Sequence, residues 1–76
     1  MTVLTCKDLI SVDPERLGGE PVFKDTRVPI RSLFDHLKAG DGLEVFLDDF
    51  PGVTREHAQA VLDLAERGLL NSVRAA

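Results

Sequence analysis

Ile30 to Gly68, IRSLFDHLKAGDGLEVFLDDFPGVTREHAQAVLDLAERG, decides the fold of this chain, because three helical apolar stripes and their stops follow one another in it. Ile30, Leu33, Phe34 and Leu37 recur at i, i+3, i+4 and i+7, the spacing that lines one face of an α-helix. Pro29 suits the N1 position, where a missing N–H costs little, and Gly40 supplies a stop. Leu43, Phe46, Leu47 and Phe50 repeat the spacing, with Asp41 as the expected N-cap and Pro51-Gly52 as the break. Thr54 can cap the third helix, whose stripe is Ala58, Val61, Leu62 and Ala65 and whose expected stop is Gly68. Two helices joined across Phe50–Thr54, with a third covering them, fit the helix-turn-helix plan. A generic three-helix bundle would show the same stripes, so the spacing leaves both open.

Outward from the helices, the N-terminal side is rich in turns. Leu9-Ile10-Ser11-Val12 is β-prone, Asp13-Pro14 turns the chain, and Gly18-Gly19 permits a reversal. Residues Val22–Val28 read as two short extended arms around a tight turn, with Pro21 and Pro29 confining this ribbon to an edge or to its ends. The expected fold class is mainly α, a homeodomain-like helix-turn-helix core of three helices with a short N-terminal β-ribbon. The expected organisation is one domain over 1–76, with a ribbon arm at 9–30, a helical core at 30–68 and a tail at 69–76.

Composition bounds the function. With 76 residues and 43% hydrophobic content the chain holds one core, and a domain so small buries only about 60% of its unfolded surface, so it gains from a partner or a second copy. No apolar run approaches the roughly 20 residues a bilayer span needs, and no basic-then-apolar signal follows Met1, which points to a cytoplasmic protein without membrane attachment. Lone Cys6 has no disulfide or thiolate-cluster companion and reads as a half-buried or surface thiol rather than a nucleophile. The formal net charge is −4. Acids and bases balance over residues 1–38, so the whole excess of acid lies in residues 39–76. A domain with that balance holds DNA weakly on its own, because neutralising phosphates supplies most non-specific affinity.

Asp13-Pro14-Glu15, Gly19-Glu20-Pro21-Val22, Thr26-Arg27-Val28-Pro29, the Ala39-Gly40 stop and Phe50-Pro51 have an order and spacing that resemble the domain of unknown function 433 family, from about Leu9 to Ala65. That resemblance implies the homeodomain-like fold with its ribbon. It also implies an antitoxin role, since members are often encoded beside a PIN-like nuclease toxin that they bind and neutralise. Three positions depart from the family pattern: Asp25 stands in place of glycine, Gly42 in place of a small polar residue, and Phe50 in place of tyrosine.

Candidate sites follow from charge and exposure. Lys24, Arg27 and Arg31 form a local cationic cluster suited to a phosphate or a toxin carboxylate, although for Arg27 the stronger reading is structural, holding the ribbon to the first helix by pairing with a nearby acid such as Asp25 or Asp35. Arg55 and Gln59, near the start of the third helix, are types that read guanine and adenine edges, but Glu56 and Asp63 flank them and a plain solvated face is the stronger reading. Asp48, Asp49, Glu56 and Asp63 read as solvated acids rather than a metal cluster. Asp48 and Asp49 could present negative charge to a basic toxin groove. Leu69, Leu70 and Val73 are either the last packing layer of the domain or a strip that docks on a partner. His36 and His57 have no i+4 ligand partner and read as ordinary surface or helix-end residues. No activated nucleophile, base pair or metal triad assembles. The leading expectation is therefore a non-enzymatic antitoxin without a cofactor, dimerising through its ribbon or forming a hetero-oligomer with a PIN-like toxin. The alternative is a stand-alone regulator that binds operator DNA through the third helix.

Overall fold

The computed structural model describes residues 6–15 and 17–75, with the side chains of Cys6, Lys7, Leu17 and Ala75 also outside the description; the expectation about the Cys6 thiol falls there. The fold is mainly helical: α1 (Cys6–Leu9), β1 (Ile10–Ser11), a 3-10 turn at Leu17–Gly19, β2 (Val22–Phe23), α2 (Ile30–Lys38), α3 (Leu43–Asp49) and α4 (Arg55–Ala75). The three longer helices and the small sheet match the expected class, and the domain fits the helix-turn-helix plan in general outline.

The ribbon forms within one chain. β1 and β2 are antiparallel, with Ile10 opposite Phe23 and Ser11 opposite Val22. On the other edge of β2, Val22 bridges Pro29, and the Phe23 N–H donates to the Val28 carbonyl at 2.9 Å. The tight turn expected between the arms is there, closed by the Thr26 N–H on the Phe23 carbonyl at 3.0 Å. Thr26 locks it twice more: its hydroxyl donates to the Phe23 carbonyl at 2.8 Å and accepts from the Val28 N–H at 3.0 Å. Asp25 takes φ 63, a left-handed conformation that favours glycine and that aspartate tolerates better than most residues, so the turn survives the departure from glycine. Upstream, Asp13 Oδ1 accepts the Glu15 N–H at 2.9 Å, the Asx turn that its position before Pro14 foreshadows.

Helix ends differ from expectation by small, explicable amounts. Pro29 is the N-cap of α2 rather than its first helical residue, because its ψ of 139 is still extended. Gly40 stops α2 as expected, at φ 89. Its N–H donates to Leu37 O and the Asp41 N–H to His36 O, so two orphan carbonyls are satisfied in a Schellman arrangement. That arrangement commits Asp41 to the end of α2, and Gly42, not Asp41, caps α3, without a side-chain bond. Thr54 caps α4 as expected, its hydroxyl accepting the His57 N–H at 3.1 Å.

The core joins Leu9, Phe23, Leu33, Phe46, Val53, Ala58 and Val61, with Phe23, Leu33 and Phe46 fully enclosed. Each helical stripe contributes, but Ala65 is exposed and Val53, outside any stripe, is buried, because the Pro51-Gly52 turn folds it inward. The histidines are not ordinary surface residues. His57 Nε2–H donates to the Leu9 carbonyl at 2.8 Å and its ring stands edge-on to Phe23, centroids 5.1 Å apart, tying α4 to the α1–β1 junction. His36 donates from Nδ1 to Ser32 O and from Nε2 to Asp49 Oδ2, both at 2.8 Å, and stands edge-on to Phe46 and Phe50, tying α2 to α3.

Candidate docking surface

α4 does not stop at Gly68. It continues to Ala75, so residues 69–75 are helix and not a separate tail. Gly68 takes no left-handed φ. Glycine inside a helix costs about 1 kcal/mol relative to alanine, too little to end a run flanked by Ala65, Glu66, Arg67, Leu69 and Leu70, all favourable helix formers.

The first half of α4 is fixed by packing: Ala58 and Val61 are buried, and Ala60, Leu62 and Leu64 pack on the core. Past Leu64 every residue from Ala65 to Arg74 is exposed. The last eleven residues of the helix, about 16 Å at 1.5 Å per residue, therefore extend beyond the core. Leu69 is 65% exposed, Leu70 43% and Val73 65%. These three lie within an arc of about 100° on the helix, and the line Ala58, Leu62, Ala65, Leu69 runs into them at alternating spacings of four and three. Leu69 and Val73 thus continue the helix's own buried face into solvent, and Leu70 flanks them, about 120° round the helix from Ala58. Of the two readings open in the sequence, a last packing layer or a strip that docks on a partner, the first does not hold, because these residues are exposed.

The remaining candidates are scattered. Arg31 pairs with Glu20 at 3.4 Å, in the stretch before β2. Arg27 is exposed and has no ion pair among the described residues, so neither the pairing with Asp25 nor that with Asp35 forms; Thr26, not Arg27, secures this turn. Lys24 sits on the turn, at the rim of an open hollow of about 320 Å³ lined also by Asp8, Leu9, Asp25, Glu56, His57 and Ala60. Its carboxylates do not converge on a metal site: among the described residues no group of three or more His, Cys, Asp or Glu could hold an ion. Arg55 forms an ion pair with Glu44 of α3, which supports its cationic form. Gln59 is exposed one turn later. The start of α4 accordingly offers an amide, a neutralised arginine and the exposed acids Glu56 and Asp63, a poor surface for phosphates.

Asp48 and Asp49 also part company. Asp48 is exposed on α3, whereas Asp49 is engaged by His36, and that hydrogen bond, followed by the one to Ser32 O, holds the His36 pKa above its ordinary value. With both ring nitrogens donating, the imidazolium is the form this site accommodates. At the far end of α4, Asp63 and Arg67 pair at 3.1 Å across one helical turn, while Glu66 and Arg74 have no ion pair among the described residues. Neither of the last two was singled out in the sequence. Their place at four residues on either side of Leu70 is the signal that could have found them. Among the described residues no helix is long and apolar enough to cross a membrane.

Comparison with known proteins bears on this architecture at two levels. A crystal structure of a DUF433 member protein from Anabaena variabilis ATCC 29413 superposes with a TM-score of 0.67 at 26% sequence identity, covering 87% of this chain and 65% of that one. The uncharacterized protein y4eO of Sinorhizobium fredii (strain NBRC 101917 / NGR234) is 29% identical over 68 residues, which is 90% of this chain and 31% of that protein. The chain thus spans about a third of the curated relative and about two thirds of the solved one. The family described as protein of unknown function (DUF433) matches residues 10–65, which takes in the Thr26-locked turn, all of α2 and α3 and the packed part of α4, and the chain belongs to that family.

Proposed function

We propose that this chain is a non-enzymatic antitoxin, the half of a type II toxin–antitoxin pair that binds a PIN-like nuclease in the cytoplasm and blocks it. The observation that carries the protein-binding part of this reading is the uncovered apolar end of α4. An exposed contiguous strip on so small a domain is the mark of a surface that another polypeptide covers. The net charge of −4 supports blockage of a nuclease, whose nucleic-acid groove is expected to be basic, and exposed Asp48 is available to face such a groove. The nuclease itself as the partner comes from what the family resemblance implies. Operator binding is the weaker reading, because Arg55 is already engaged by Glu44.

The test is co-expression of the tagged chain with the product of the adjacent gene, followed by purification and mass determination. A stable complex with a small PIN-like protein is the expected result, and Leu69→Ser combined with Leu70→Ser should release that protein while the helical signal survives. Recovery of this chain without any such partner, in a form that retains tight and sequence-specific operator binding, would refute the antitoxin reading in favour of a regulator.

A further inference from the structure

We propose that the exposed end of α4 pairs with the same segment of a second copy of this chain, antiparallel, about a two-fold axis at Leu70. This rests on the reading of the strip as a protein-docking surface and names its occupant in the chain free of the nuclease, which a weak self-pairing leaves able to displace it.

Charge placement selects that occupant. Glu66 lies four residues before Leu70 and Arg74 four residues after it, and neither has an ion pair among the described residues. They are eight residues apart, about 12 Å along the helix, too far to pair with each other. An antiparallel partner in register at Leu70 sets Glu66 of each copy against Arg74 of the other. The two-fold generates both ion pairs at once, which is what an isologous interface requires. A parallel pairing would instead bring Glu66 against Glu66 and Arg74 against Arg74. The apolar side chains obey the same symmetry: in this register Leu70 meets the partner's Leu70 at the axis, Leu69 of each copy lies one residue off the axis beside that pair, and Val73 lies level with the partner's Arg67. Pairing also accounts for a helix that persists through Gly68 with no core beneath it, since isolated helical segments of this length are marginal in water. Three apolar side chains per copy make a small interface, so the dimer belongs in the weak, concentration-dependent class.

Sedimentation equilibrium of the chain alone, from about 10 μM to about 1 mM, tests the proposal over the range where weak interfaces dissociate. The expected result is a monomer–dimer equilibrium. Leu69→Ser with Leu70→Ser should abolish it with the fold retained by circular dichroism, since the core ends at Leu64. Glu66→Arg and Arg74→Glu should each weaken the dimer by about fivefold through two symmetry-related pairs, and the double exchange should restore it. A monomer throughout, a dimer indifferent to the leucine substitutions, or a double exchange that fails to restore would each overturn self-pairing. A monomeric chain that still captures the nuclease sinks this inference and leaves the proposed function standing. A dimer that behaves as expected and captures no neighbour does the reverse.

Discussion

Replacing His57 separates two contributions that the structure assigns to one ring. His57→Phe keeps the edge-on contact with Phe23 but removes the Nε2–H donated to the Leu9 carbonyl. That carbonyl still accepts the Lys24 N–H at 2.9 Å, so it is not orphaned, and the loss is that of one hydrogen bond, about 1 kcal/mol. His57→Ala removes the ring as well, adding about 0.5–1.5 kcal/mol for the aromatic pair and a further contribution from the space left beside Phe23. The sum is about 2–3 kcal/mol. For a domain of this size each kcal/mol moves Tm by about 4–8 °C, so the phenylalanine variant should melt several degrees lower and the alanine variant at least about 8 °C lower. Thermal and urea unfolding followed by circular dichroism measure both. Because the bond ties α4 to the α1–β1 junction, amide exchange at Lys24 and Ile10 should quicken before that of α2 does. An alanine variant as stable as the parent, or exchange that quickens first in α2, would show that His57 does not pin this junction.

His36 gives the fold a pH dependence of known sign. Its folded pKa lies above the ordinary 6.5, chiefly through Asp49, so its contribution to stability is complete below the unfolded value and is lost as the pH rises through the elevated folded one. Urea midpoints should therefore fall as the pH rises past 6.5 and through the elevated folded pKa, and Asp49→Asn should flatten that fall; an unchanged slope in the variant would assign the dependence elsewhere. Gly68→Ala places a Cβ in open space on a helix that already runs through the position. It should add helical signal and slow amide exchange over 65–75 by about fivefold, corresponding to about 1 kcal/mol of local helix stability, with little change in global Tm because that segment carries no core contact. A loss of helical signal would mean that Gly68 does end the helix in solution.

Local chemistry made much of this molecule readable from its sequence. The three stripes place Leu33, Phe46 and Val61 in the core, Gly40 and Thr54 end and begin their helices, and Pro21 and Pro29 bound a ribbon whose turn Thr26 and Asp25 form, since each of these effects acts over one or two turns of chain. Tertiary packing decided the rest. Asp41 looks like a cap until its N–H is seen committed to α2, and Val53 looks like loop until the chain reversal at Pro51-Gly52 turns it inward. His36 and His57 find partners 13 and 48 residues away, separations that no periodicity encodes. Arg55 is a free cation in the sequence and a neutralised one beside Glu44. The strip at Leu69, Leu70 and Val73 shows the division most clearly: apolar spacing marks those residues as a face, but whether a face is core or docking surface depends on what stands opposite it, and that is set by how far the rest of the fold reaches along α4.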